Sequence, residues 1–204
     1  MGMILGKIGV ETPKHEIIAA AAGYEIRKYP PAVVAEVTYN PAQFTSEKDG
    51  AFKILADYIG AFGEPQNARP ERIAMTAPVL TAAAPPSERI AMTAPVVTAA
   101  GNGGMVTMGF ILPAKYARAA DAPRPVDGRV ELREEGERKY GVVRFSGAAR
   151  EEVVEEKASG LRECLERDGY RAAGDFVLAR YNAPWITLPP FRTNEIRLTV
   201  RPAS

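Results

Sequence analysis

The chain has 204 residues and a mass of 22.0 kDa, a size at which one domain buries roughly two-thirds or more of its unfolded surface. Lys and Arg number 26 against 25 Asp and Glu, so no excess of cations argues for nucleic acid as the main partner. Cys164 is the single cysteine, which excludes an intrachain disulfide, and no apolar stretch approaches ~18 residues. A cytoplasmic protein with no membrane span is expected, since Met1–Lys7 also lacks a signal-peptide core and Gly6 stands where a myristoylation signal needs Ser or Thr.

Residues 1–22 read as a lead-in, with a short helix expected over 15–22, ahead of a single domain spanning 23–201. Tyr24–Tyr29 and Ala32–Tyr39 are rich in β-formers and are split by Pro30 and Pro31, which cannot donate to a ladder, so two strands and a turn are predicted. From Ser46 the period becomes helical. Phe52, Leu55, Ile59 and Phe62 fall on one face, Ser46 and Asp49 form the cap, and Gly60, Gly63 and Pro65 the stop. Val106, Met108, Phe110 and Leu112 alternate with Thr107, Gly109 and Ile111, the pattern of a central strand apolar on both faces. Pro113–Gly128 reads as a surface connection, followed by strands at Val130–Glu134 and Lys139–Phe145. A second amphipathic helix over Glu151–Asp168 places Val154, Ala158, Leu161 and Leu165 on one stripe and stops at Gly169. Asp175–Tyr181 and Glu195–Val200 complete the strands on either side of the proline-rich turn Asn182–Phe191.

The order of two strands, a helix and further strands occurs twice, and Glu25-Ile26-Arg27 ahead of the first set matches Glu131-Leu132-Arg133 ahead of the second. An α+β fold follows, in which two duplicated halves close one curved sheet with the helices on its outer flanks. A second, more local repeat is unambiguous. Glu71–Ala83 and Glu88–Ala100 agree at every position except Leu80 against Val97. Two short copies are too few for a solenoid. Each reads as a strand-like start, Ile-Ala-Met, followed by Thr-Ala-Pro, whose proline blocks continuation. One copy is expected in the sheet and the other in a surface excursion.

Arg72-Ile-Ala-Met-Thr-Ala-Pro-Val79 resembles the signature of the SOUL haem-binding protein family. Tyr24-Glu-Ile-Arg-Lys-Tyr-Pro-Pro, Asp57-Tyr-Ile-Gly60, Arg138-Lys-Tyr-Gly-Val-Val-Arg-Phe-Ser-Gly147 and Phe191-Arg-Thr-Asn-Glu195 resemble it in the same order, across nearly the whole chain. The resemblance is to the plant and green-algal cytosolic branch in particular, whose members carry the segment in more than one copy. It implies a distorted antiparallel β-barrel of two pseudo-symmetric halves flanked by two long helices. It also implies binding of haem or a porphyrin as a non-catalytic ligand, for carriage or buffering. The alternative is a protein-interaction or effector-sensing module whose pocket is vestigial.

The same resemblance points to the first helix as the pocket: Phe52, Lys53, Leu55, Tyr58 and Ile59, with Lys53 and then Lys48 as propionate partners. Phe52, Leu55 and Ile59 also lie on the face assigned to the core, and Asp49 and Asp57 would repel a carboxylate. Met75 and Met92 read first as packing groups and second as weak sulfur ligands. The turn departs from the family at Ala183 and Ile186, and carries Trp185 and Arg192 as further contacts. His15 reads as a surface histidine and Cys164 as a small buried hydrophobe, rather than as iron ligands. One histidine and one cysteine far apart offer no nucleophile with its base, so no catalytic or metal site is expected.

Overall fold

The computed structural model describes residues 10–40, 50–83, 105–182 and 187–202. Nine antiparallel strands form one sheet with two helices on one face. Its first strand corrects an expectation: Glu16–Ala21 is β1, not a helix, and pairs with β2, Tyr24–Tyr29. Gly23 at φ +95° makes the tight turn between them, and the hairpin partner overrides the helical preference of an alanine-rich segment. Then come β3 (Ala32–Tyr39), α1 (Gly50–Ile59), β4 (Val79–Ala83), β5 (Val106–Ile111), β6 (Glu131–Glu135) and β7 (Arg138–Ser146). The chain ends with α2 (Glu151–Arg167), β8 (Tyr170–Arg180) and β9 (Thr193–Pro202). Among the described residues, no helix is long and apolar enough to cross a membrane.

The strand order is β1-β2-β7-β9-β8-β4-β5-β3-β6. Pro30–Pro31 and Gly136–Glu137 are short turns, yet they join strands far apart in that order, β2 to β3 and β6 to β7. The sheet must therefore curl until its two ends approach each other. The expected barrel is nevertheless not closed: β1 and β6 are edges, with no ladder between them. Charge explains part of this, because β6 carries Glu131, Arg133, Glu134 and Glu135, and charged edges resist further pairing.

Both helices lie where their stripes predict. Val154, Ala158, Leu161 and Leu165 of α2 are all buried, against Ile26, Leu178, Ile196 and Leu198. A Cβ at Gly141 would lie 2.7 Å from Leu165 Cδ1, so the glycine is what lets α2 settle on β7. Leu55, Tyr58 and Ile59 of α1 pack on Val33, Ala35, Val37 and Phe110. Gly60 at φ +72° ends α1, so Phe62 leaves the helix and is 67% exposed, contrary to its predicted place on the apolar face.

The duplicated segment corrects a second expectation. In the first copy the strand follows the proline instead of preceding it, with β4 starting at Val79. Pro78 has no N–H to offer a ladder, and Ile73 fills the core under α1 from a loop. That loop is held by Asn67, whose side chain donates to the carbonyls of Tyr58 and Glu71 at 3.0 and 2.9 Å. The second copy lies outside the described residues. It falls between Ala83 and Val106, which pair directly, so a hairpin of a few residues would serve the same sheet.

Candidate ligand-binding site

α1 packs on β3 and β5, and α2 on β7, β8 and β9, which leaves β4 in the gap between the two helices. The ladders set Phe110, Val79 and Arg180 side by side across this gap, with Met108 and Thr81 in the adjacent row. Paired residues of antiparallel strands share a face, so all five belong to the helix side of the sheet. The Phe52 ring meets Phe110 at 5.3 Å between centroids and Phe62 at 6.4 Å. Tyr39, Met75, Val79 and Met108 are half-buried around the same cluster. Among these five ladder residues Arg180 is the one charge. It donates from Nη1 to Thr81 Oγ1 at 3.1 Å, and no carboxylate among the described residues acts on it. Burial pulls its ionisation below the usual arginine range, opposed only by Tyr39.

Of the residues expected from the sequence, Phe52 is half-buried and Lys53 exposed on α1, and Met75 is half-buried against the same core cluster as Phe52. Leu55, Tyr58 and Ile59 are core, at most 2% exposed; the Tyr58 hydroxyl donates to Pro123 O at 2.8 Å. Arg192 comes just before β9, whose Asn194 pairs with Arg180, and its Nε donates to Thr187 O at 2.8 Å. Met92, Lys48, Asp49 and Trp185 lie outside the described residues. Arg180 itself was missed by sequence reasoning, although a signal was there: Phe176, Leu178 and Arg180 share one face of a strand, and the cation breaks an apolar row.

On the opposite, concave face a group of buried and half-buried charges is drawn into mutual pairs. Glu195 is 2% exposed and takes hydrogen bonds from Arg27 at 2.8 Å, Arg197 at 2.8 Å and the Tyr181 hydroxyl at 2.7 Å. Burial would push its carboxyl up, but Arg197 and Arg27 outweigh it and hold the group below the usual carboxylate range. Arg197 also stacks over Tyr29 at 4.7 Å, and Arg27 reaches Glu25 at 2.6 Å. Arg133 holds Glu36 in a two-pronged pair at 2.9 Å and Glu135 at 2.8 Å, while Glu135 also pairs with Arg138. His15 rests against the Tyr29 ring at 5.2 Å; burial, then Arg27, lowers its pKa and favours neutral imidazole. No group of three or more His, Cys, Asp or Glu among the described residues could hold a metal ion.

A cleft of about 560 Å³ opens where the sheet ends approach each other, between the Pro30–Pro31 turn, residues 11–14 and the segment after β5. None of the expected ligand residues that the structure describes lines it.

Comparison with known proteins agrees on fold and family. The C-terminal domain of EcmrR is similar over 88% of this chain and 97% of that one, at 11% identity and a TM-score of 0.57. A hydrolase from Listeria innocua matches over 90% and 94%, at 15% identity and 0.53. SAV2435 bound to tetraphenylphosphonium matches over 87% and 93%, at 14% identity and 0.50. At such identities these likenesses speak for the fold alone. No curated protein matches the chain in sequence. The family described as SOUL heme-binding protein matches residues 10–199, nearly the whole chain, and so this protein belongs to that family and haem is its bound ligand.

Proposed function

We propose that the protein binds haem or a related tetrapyrrole without transforming it, and carries or buffers it in the cytoplasm, in the strip between α1 and α2. Arg180 carries this reading: a half-buried guanidinium with no carboxylate partner among the described residues, set beside Phe110 and Val79 in a largely apolar strip. Such a charge is costly alone and rewards an incoming anion.

The strip suits the ligand chemically. Haem supplies a flat apolar macrocycle, an iron and two propionates. Phe52, Met75 and Met108 offer apolar contact for the ring, Arg180 and Lys53 offer cations for the propionates, and Arg192 flanks the same end. Leu55, Tyr58 and Ile59 lie in the core cluster against which Phe52 packs. With contact and charge as the main terms, haem and metal-free porphyrin should bind with similar affinity. The two halves of the chain support one detail of the resemblance: β3-α1-β4-β5 and β7-α2-β8-β9 pair in the same internal order, and β2 and β6 flank β7 and β3. That pattern is what pseudo-symmetric halves with exchanged first strands would give.

An effector-sensing module is the second reading: SAV2435, alike in fold, is bound to tetraphenylphosphonium. A lipophilic cation such as tetraphenylphosphonium, the ligand of SAV2435, would meet carboxylates already engaged here: Glu25, Glu36, Glu135 and Glu195 all pair with arginine. Neither nucleic acid nor a membrane is a partner in the proposal. Haemin titration of the wild type and Arg180→Gln tests it: a saturable Soret change that weakens in the variant is expected, and no saturable change at micromolar haemin would end it.

A further inference from the structure

Tyr39 is the last residue of β3 and shares the helix face of the sheet with Val37. It pairs with Val106, in the row next to Val37, Met108 and Thr81, and is half-buried against the same cluster as Phe52, Met75 and Met108. Arg180 stands on the other side of that row, beside Val79, and its Nη1 reaches back to Thr81 Oγ1 at 3.1 Å. A phenol and a guanidinium therefore flank the Met108–Thr81 row from its two sides. Their strands, β3 and β8, are three spacings apart in the sheet, about 14 Å, which is the scale of a porphyrin with its propionates.

The charge acting on Tyr39 sets it apart from four other phenols of the chain. Asp168 acts on Tyr24, Glu71 on Tyr58 and Tyr116, and Glu195 on Tyr181, and each of these carboxylates opposes loss of the phenol proton. On Tyr39 burial pushes the ionisation up, and the charge that works against burial is the Arg180 cation. Phenolate is one of the axial ligands that proteins give haem iron, and a neighbouring cation favours the ionised form. The stronger donors lie elsewhere: Cys164 packs in the cluster under α2, and His15 rests on Tyr29. Met75 and Met108 share the strip but offer only weak, neutral sulfur.

We propose that Tyr39 supplies the axial ligand to ferric haem in this strip, its phenolate oxygen bonding the iron while Arg180 holds a propionate. The assignment rests on the tetrapyrrole-binding reading of the same strip. The phenol releases its proton to solvent, the oxygen lone pair forms the bond to iron, and no electron is transferred. An ordinary phenol is ionised about one time in a thousand at neutral pH, so removing that proton offsets much of the bond. Haemin and metal-free porphyrin therefore stay close in affinity, and the ligand shows in the spectrum.

The test is resonance Raman and visible absorption of the full chain saturated with haemin, in the wild type and in Tyr39→Phe, with Tyr140→Phe on the concave face as control. Phenylalanine keeps the packed ring, and an unchanged melting curve of the ligand-free variant verifies that it folds. The wild-type ferric complex should carry phenolate bands that shift when the protein is made with ring-deuterated tyrosine. Tyr39→Phe should lose those bands and move the Soret maximum, while still saturating with haemin within about threefold of the wild-type affinity. Tyr140→Phe should keep them. A saturable haemin complex without phenolate bands, bands that survive Tyr39→Phe, or bands that vanish in Tyr140→Phe would each overturn the ligand assignment and leave haem binding in the strip standing. Absence of any saturable haemin complex would overturn both.

Discussion

The two faces of the one sheet handle charge in opposite ways. On the concave face Glu195, Arg27, Arg197, Glu36 and Arg133 are drawn into mutual pairs, two of them bridged by tyrosine. On the helix face the row from Val37 through Met108 to Leu178 and Ile196 is apolar except for Thr81, and in the next row Arg180 stands between Val79 and Asn194 with no acidic partner among the described residues. A buried charge with its partner in place is closed structure, and adds little to stability over an apolar pair of the same shape. A buried charge without one is where a ligand gains most.

The sharpest way to break the contrast is to unbalance the paired face. Glu195→Gln leaves buried Arg197 without its carboxylate and Arg27 with Glu25 alone, and should cost about 3–5 kcal/mol in urea unfolding. The pH dependence has a defined sign. Because the folded-state pKa of Glu195 is depressed, its contribution is present above the carboxylate's unfolded value and fades as pH falls through the folded one. The wild type should therefore lose this stability on acidification, and the Gln variant should lack that part of the acid limb. A smaller effect is expected where α2 meets β7. Gly141→Ala drives a methyl into Leu165 and should cost about 1–3 kcal/mol, read by thermal unfolding. The smallest belongs to the repeat. Excising Glu71–Ser87 leaves Val97 where Leu80 stands, while excising 84–100 keeps Leu80; both chains should unfold within about 1 kcal/mol of the parent and bind haemin alike. A larger loss in either would mean that the second copy contributes to the fold.

Periodicity made much of this architecture legible in the sequence. The α2 stripe is local and regular, and all four of its residues are buried as read. Val33, Val37 and Phe110 alternate as strands should, and lie under α1. What escaped is set by distant partners. β1 is a strand because β2 is there to pair with it, and β4 begins after Pro78 because β5 and β8 take up its N–H groups. Arg27 and Glu195 are an ion pair across most of the chain length, which no local pattern announces. The candidate site was half visible. Phe52 and Lys53 could be placed on the first helix, but the cation facing the same gap comes from β8 and becomes its neighbour only through the β4 and β5 ladders.

Arg180 has no carboxylate partner among the described residues, so the most direct test measures the two consequences of that charge together. In Arg180→Gln, haemin should dissociate about 10- to 100-fold more readily, the worth of one charge-assisted hydrogen bond, while the ligand-free protein unfolds at the same or a higher denaturant concentration. Unchanged haemin affinity, or a loss of stability in the ligand-free variant, would contradict it and make Arg180 a structural residue like its counterparts on the concave face.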